Sequence, residues 1–273
     1  MGNTASAAST APQNPPNLMT DELLIAQHGA VLWLTINREA RRNALSQNVL
    51  AGMADAMAGA QKNRDIRAIV ITGVGSKAFC AGADLQSGSV FATDHSEPVG
   101  RLAHLLRTAR ASHVPLIARV NGTCMAGGFG LLSMCDLAVA ARHAQFGLPE
   151  VKVGLWPAQV LTVLQHLIPR RVLNEMCLTG EPITSAQALE CNLVNYVDDD
   201  VDVRLQWLLG RILDKSPAAI RRGLYMTKRI ESMPFEESMS FTESQISLFT
   251  MTEDAREGQK AFQEKRKPNW TGR

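Results

Sequence analysis

Apolar residues along this chain follow two regimes. Up to about residue 157 they gather in short runs parted by Gly- and Asn-containing turns, and beyond it they recur three and four apart over longer stretches. The runs at 23–25 and 31–36 flank His28-Gly29 and predict an opening β-hairpin. Ser46 is placed to N-cap a helix whose apolar face is Val49, Leu50, Met53 and Met57. Residues 66–72, rich in Ile and Val, predict a buried strand, followed by a small-residue turn at 77–85 and a polar stretch at 86–98 read as a mobile loop. A helix to about Ser112, a strand at 115–120, a second glycine-rich turn, a helix and a strand at 136–140 come next. This order argues for an α/β fold with crossover connections. After Pro157 the stretches 160–167, 172–178, 185–190, 203–213 and most of 217–262 predict helices. A boundary near Asp199 and one continuous unit both fit this pattern.

Composition narrows the class. With 273 residues, 45% of them apolar and 20% charged, a soluble globular protein is expected. The formal charge is +2, from 28 basic and 26 acidic residues that are interspersed, so no face for nucleic acid is indicated. No apolar run approaches the ~20 residues of a membrane span. The five cysteines are odd in number and lack CxxC spacing, which predicts reduced thiols, a cytoplasmic setting and no metal site. Residues 1–20, rich in Ala, Ser, Thr, Asn and Pro and with no Lys or Arg before Arg38, read as a disordered tail without targeting features.

The two small-residue turns carry the candidate chemistry. Ala78-Phe79-Cys80-Ala81-Gly82-Ala83-Asp84-Leu85 sits at a strand end, where small side chains let another molecule approach the main chain. Asn121-Gly122-Thr123-Cys124-Met125-Ala126-Gly127-Gly128 does the same directly before a helix, whose free N–H groups and dipole favour a developing anion. Either turn alone is also what tight packing produces. Together, with their spacing and flanks, they resemble the enoyl-CoA hydratase/isomerase, or crotonase, family. The matching blocks fall in family order at 34–45, 78–85, 120–136, 144–150 and 178–197, and 253–270 resembles the family's C-terminus.

The resemblance implies a spiral of ββα units followed by a helical trimerisation region. The chain then divides into a tail (1–20), a spiral core (21–198) and a helical region (199–273), assembled as a homotrimer or dimer of trimers. It further implies an acyl-CoA thioester as substrate, with no cofactor beyond the CoA that the substrate carries. By the same carry-over, the N–H groups of Ala83 and Gly127 form an oxyanion hole, where each donor is worth about 3 to 4 kcal/mol. The loop bearing Arg41 and Arg42, with the main chain around Ala81, Asp84 and Leu85, would hold the nucleotide end of CoA. Phe262 and Lys265 would close the CoA site of a neighbouring subunit.

Family hydratases use two glutamates. The later one matches Glu150, after Phe146-Gly147-Leu148-Pro149, whereas the earlier position is Gly130. Glu150 is thus expected to move the proton beside the thioester, with burial raising its pKa toward neutrality. Without a second carboxylate, water addition would rely on Glu150 alone, on main-chain groups, or on Asp84, Asp94 or Glu97. Double-bond migration needs one carboxylate only. Hydratase and isomerase both stay open at this point, as does a non-catalytic acyl-CoA-binding homologue. Trp156 either narrows the acyl pocket or fills the core. A nucleotide-hydrolysing site is excluded, because GxxxxGK[ST] is absent.

Overall fold

The computed structural model describes residues 21–84, 96 and 98–273. Strands β1 (Leu23–His28) and β2 (Val31–Ile36) form the expected hairpin, and β2 continues in parallel into β3 (Ala68–Gly73). Between them, α1 (Gln47–Lys62) starts where Ser46 Oγ accepts a hydrogen bond from Val49 N at 3.2 Å. Its buried face includes Val49, Leu50, Met53 and Met57, as their spacing requires.

From β3 onward the chain alternates between two sheets. β3 is followed by β4 (Ala78–Cys80) in the second sheet and, past the undescribed residues, by α2 (Arg101–Arg110). The cycle repeats as β5 (Leu116–Val120), β6 (Thr123–Met125) and α3 (Gly127–Ser133). It repeats again as β7 (Leu137–Ala141), β8 (Gln145–Gly147) and the helices α4 (Ala158–Leu164) and α5 (Arg170–Thr179). This is the spiral of strand, strand and helix that the family resemblance implies. β9 (Ile183–Thr184), α6 (Ser185–Glu190), which opens on a Thr184/Gln187 capping box, and β10 (Tyr196–Asp198) complete it. The first sheet has the order β1-β2-β3-β5-β7-β10 and the second β4-β6-β8-β9, each parallel except at β1 and β9. Both glycine-rich segments therefore contain a short strand, β4 and β6, where the sequence suggests only a turn.

Period-two alternation builds the core on both faces of the first sheet. Ile69 and Ile71 of β3, Leu116 and Ala118 of β5, and Ala138 and Ala140 of β7 face the main core with α1 and α3. Ala68, Val70, Ile117 and Val139 face the other way, toward Val201, Leu205, Leu208 and Leu209 of α7 (Val201–Leu213). Truncating one such buried Ile or Leu to Ala costs about 2–5 kcal/mol.

The expected division at Asp199 falls between β10 and α7, which itself lies on the sheet. Three helices follow: α8 (Pro217–Ile230), α9 (Phe235–Thr250) and α10 (Glu253–Gln263). α8 is tied to the core by Lys228–Asp136 at 2.9 Å. None of the 16 residues of α9 is buried. Among the described residues no helix is long and apolar enough to cross a membrane.

Candidate active site

The second sheet sets the site. β4, β6 and β8 are adjacent and parallel, with Cys80 opposite Cys124 and Met125 opposite Gly147, so their C-terminal ends emerge side by side. Ala83 follows β4, Gly127 follows β6 and Glu150 follows β8, and ligands of parallel sheets bind at such strand ends.

Ala83 forms a parallel bridge with Leu45. Leu45 N donates to Gly82 O at 2.7 Å and Asp84 N to Leu45 O at 3.2 Å, a pattern that turns the Ala83 N–H away from the pairing. Ala126, with φ 48° and ψ −120°, holds a conformation that costs a side-chain-bearing residue about 1–3 kcal/mol. Its N–H donates to Gly147 O at 3.0 Å, which fixes this kink to β8 just before Gly127. Among the described residues, neither Ala83 N nor Gly127 N donates a hydrogen bond. A Cβ added to Gly127 would lie 3.6 Å from Ala83 N, and one added to Gly82 would lie 3.3 Å from Gly127 N. The two free amides thus border one small space. Gly82, at φ +95°, is needed there because a Cβ would meet Ala126 Cβ at 2.7 Å.

Glu150 occupies the single-turn helix Pro149–Val153 and is half-buried. Its Oε2 is shielded from solvent with no hydrogen-bond partner among the described residues, so the expectation of an elevated pKa agrees with its surroundings. Burial pushes the carboxyl up, and its own backbone N–H only partly opposes this. The burial of Cys177, and secondarily the charge on Glu150, raise the Cys177 thiol.

A Cβ at Gly130 would meet Val160 Cγ2 at 3.5 Å and Leu106 Cδ2 at 3.9 Å, ordinary contact with two apolar side chains. The place of the missing glutamate is therefore roomy at its root and apolar around it.

Arg38 escaped the sequence reading. Its Nη2 meets Asp84 Oδ2 at 2.7 Å, its Nη1 donates to Ala44 O at 2.6 Å and its Nε lies 2.8 Å from Glu22 Oε1. Ala44 and Asp84 flank the two partners of the Leu45–Ala83 bridge, so one guanidinium clamps both sides of the strand end that presents Ala83. Asn43 adds a second tie, donating from Nδ2 to Val74 O at 3.0 Å and Ala78 O at 2.7 Å. An Arg and an Asp 46 residues apart give no local signal in one sequence.

The remaining expected residues divide by what they are bound to. Asp84 cannot orient water as expected, because its carboxylate is buried against Arg38, and its N–H is committed to Leu45 O. Ala81 N donates to Arg42 O at 3.0 Å, which joins the Arg41–Arg42 loop to the first small-residue turn. Arg41 and Arg42 are exposed and form no ion pair among the described residues. Leu85, Asp94 and Glu97 lie outside the described residues. Phe262 is 86% exposed, so within the single chain it closes nothing, and Lys265 beside it is exposed too. Trp156 is 49% exposed, which overturns its reading as a core aromatic: it sits in the connection before α4 with one face in solvent.

The same fold is found in known proteins. The family model described as enoyl-CoA hydratase/isomerase matches residues 26–273. An enoyl-CoA hydratase of Mycobacterium tuberculosis is 36% identical over 262 residues, covering 92% of this chain and 97% of that protein. A 2,3-dehydroadipyl-CoA hydratase of Escherichia coli is 32% identical over 92% of this chain and 99% of its own length. Among solved structures, an enoyl-CoA hydratase of Mycobacterium smegmatis superposes with a TM-score of 0.83 at 32% identity, covering 91% of this chain and 98% of that one. The DspI protein of Pseudomonas aeruginosa superposes with a TM-score of 0.85 at 30% identity, covering 92% and 97%.

Proposed function

The chain belongs to the enoyl-CoA hydratase/isomerase family, and we propose on that footing that it acts on acyl-CoA thioesters by stabilising an enolate. The thioester oxygen accepts hydrogen bonds from Ala83 N and Gly127 N, and Glu150 is the one carboxylate that takes and returns the proton. The observation that carries this reading is the pair of amides, unpartnered among the described residues, that border one space at the ends of β4 and β6, with β8, which delivers Glu150, next to β6 in the same sheet. Charge that develops on the oxygen meets donors already in place, so little reorganisation opposes the transition state.

In the hydratase form of the reaction, water adds at C3 of a 2-enoyl-CoA while Glu150 takes its proton. The electron pair of the double bond moves to the thioester oxygen, and Glu150 returns the proton to C2. Relatives named as hydratases and a carnitinyl-CoA dehydratase of Salmonella support this water-adding or water-removing reading. The apolar surroundings of Gly130 favour a second reaction through the same enolate. In it Glu150 removes a C2 proton from a 3-enoyl-CoA and returns it at C4, and no water is held.

Assembly and substrate binding are part of the proposal. α9 presents Phe235 and Ile246, 69% and 61% exposed, as the face that a second copy covers in a homotrimer or dimer of trimers. Phe262 and Lys265 then reach the CoA of the neighbouring subunit, while Arg41 and Arg42 pair with CoA phosphates.

The test is to incubate the protein with crotonyl-CoA and with a 3-enoyl-CoA and to identify products by mass and double-bond position. Turnover of at least one, abolished in Glu150→Gln, is expected. Full activity in that variant removes Glu150 from the mechanism, and no turnover of either substrate overturns the reading.

A further inference from the structure

A concentration of unpaired positive charge lies away from the candidate active site. Between the end of α1, the start of β5 and the surface of α8 is an open basin of about 620 Å³. It flanks the N-terminal ends of β3 and β5, whereas Ala83, Gly127 and Glu150 follow the C-terminal ends of β4, β6 and β8. Its basic lining is Lys62, Arg64, His113, Arg221, Arg222 and Arg273, with no aspartate or glutamate side chain among the lining residues. Overall the chain is nearly balanced, with 28 basic and 26 acidic residues, so this segregation is local and not compositional. None of these Lys and Arg side chains joins an ion pair among the described residues.

One of these cations is also held in place. Arg221 donates to the carbonyls of Gln61, Asn63 and Ile66 at 3.1, 2.8 and 2.9 Å, which fixes its guanidinium at the basin wall without neutralising it. Burial and the nearby Arg64 both disfavour its charge. Arg222 Nε is shielded from solvent and has no hydrogen-bond partner among the described residues, its guanidinium being 6.0 Å from the Phe249 ring centroid. Like charges lining one basin with no acidic side chain between them are relieved by one kind of occupant, an anion with several oxygens.

We propose that this basin is a binding site for a phosphate-bearing small anion, separate from the acyl-CoA site. Guanidinium forks match phosphate oxygens in pairs, and several of them favour a polyphosphate over a lone carboxylate. The volume is within the range of small-molecule sites, about 300–1,000 Å³, and exceeds what one inorganic phosphate fills. Inorganic polyphosphate and a nucleotide diphosphate share this chemistry.

Calorimetric titration of the full chain at near-physiological salt, with tripolyphosphate and with ADP, separates these sources. Saturable binding of at least one is expected, with ADP the tighter if the source is a nucleotide and tripolyphosphate the tighter if it is not. Arg64→Ala combined with Arg222→Ala should weaken it by about tenfold or more, as loss of charge-assisted bonds implies. Lys62→Ala, a change at an exposed side chain, should weaken it several-fold, and Arg41→Ala with Arg42→Ala should leave tripolyphosphate binding unaltered. Melting curves confirm that each variant is folded. No saturable binding by the wild type, binding indifferent to Arg64, Arg222 and Lys62, or binding lost with Arg41 and Arg42 instead overturns the proposal.

Discussion

Glu150 and Arg38 divide the work around one strand edge, and their surroundings make opposite predictions. Glu150 has a shielded, unpartnered oxygen and a carboxyl raised by burial from its ordinary 4.5. A raised folded pKa means that ionising Glu150 opposes folding. The penalty is absent below the ordinary glutamate value and develops as pH rises through the raised one. Glu150→Gln should therefore melt higher than wild type near pH 8, and the gap should close below pH 4.5, measured by thermal unfolding across pH. The same change should lower kcat by about 10²- to 10⁴-fold, the usual worth of a general acid–base. In the wild type, kcat/KM should rise with pH through a pKa above 4.5, because the base must be ionised. Arg38 behaves otherwise, since its side chain and that of Asp84 are only 12% and 7% exposed. Arg38→Met removes the buried cation that faces both Asp84 and Glu22 and should destabilise the fold by about 3–5 kcal/mol in denaturant titrations. Arg38→Lys keeps the charge but loses the fork that spans Asp84 and Ala44, so it should lower kcat/KM while leaving most of the stability.

α3 and the strand ends around it show which parts of the site were legible in sequence. The Ser46 cap, the apolar face of α1 and the double-faced burial of β3 could be read because each element is long enough to repeat its period. β4, β6 and β8, at three residues each, are too short to show any period, and their parallel register is what brings Ala83, Gly127 and Glu150 to one edge. Those residues were found through the family resemblance of the turns, not through pattern. The Arg38 clamp was missed because it depends on how two loops meet, and the two readings of Trp156, pocket or core, stayed open in sequence because residue type alone does not reveal exposure. Within α3, Gly130 has space at Cβ and faces Val160 and Leu106. Gly130→Glu should therefore fold and raise the ratio of water addition to double-bond migration, measured from product distributions. An unchanged ratio would mean that the second carboxylate is not what limits water addition. Gly82→Ala should do the reverse of no harm: a Cβ pressed on Ala126 at a positive φ disturbs the turn between the amides, and turnover should fall by at least about tenfold.

At the scale of the whole molecule, the proposed assembly gives α9 a partner. A 16-residue helix with no buried residue and with Phe235, Met239 and Ile246 exposed is poorly accommodated in water as a monomer face. Ile246→Asp, placed in the middle of that face, should shift sedimentation from trimer or hexamer toward monomer, and activity should fall with it if Phe262 and Lys265 serve the neighbouring subunit. In the proposed reading, hydration and migration share a single step, the enolate held between two amides beside one carboxylate. Deuterium exchange tests that step without reference to the final product: a 3-enoyl-CoA is incubated with the protein in D₂O and label at C2 and C4 is followed by mass spectrometry. Label should enter with the wild type and fail to enter with Glu150→Gln. Absence of exchange in the wild type, or undiminished exchange in the variant, would contradict the assignment of Ala83, Gly127 and Glu150 to enolate chemistry.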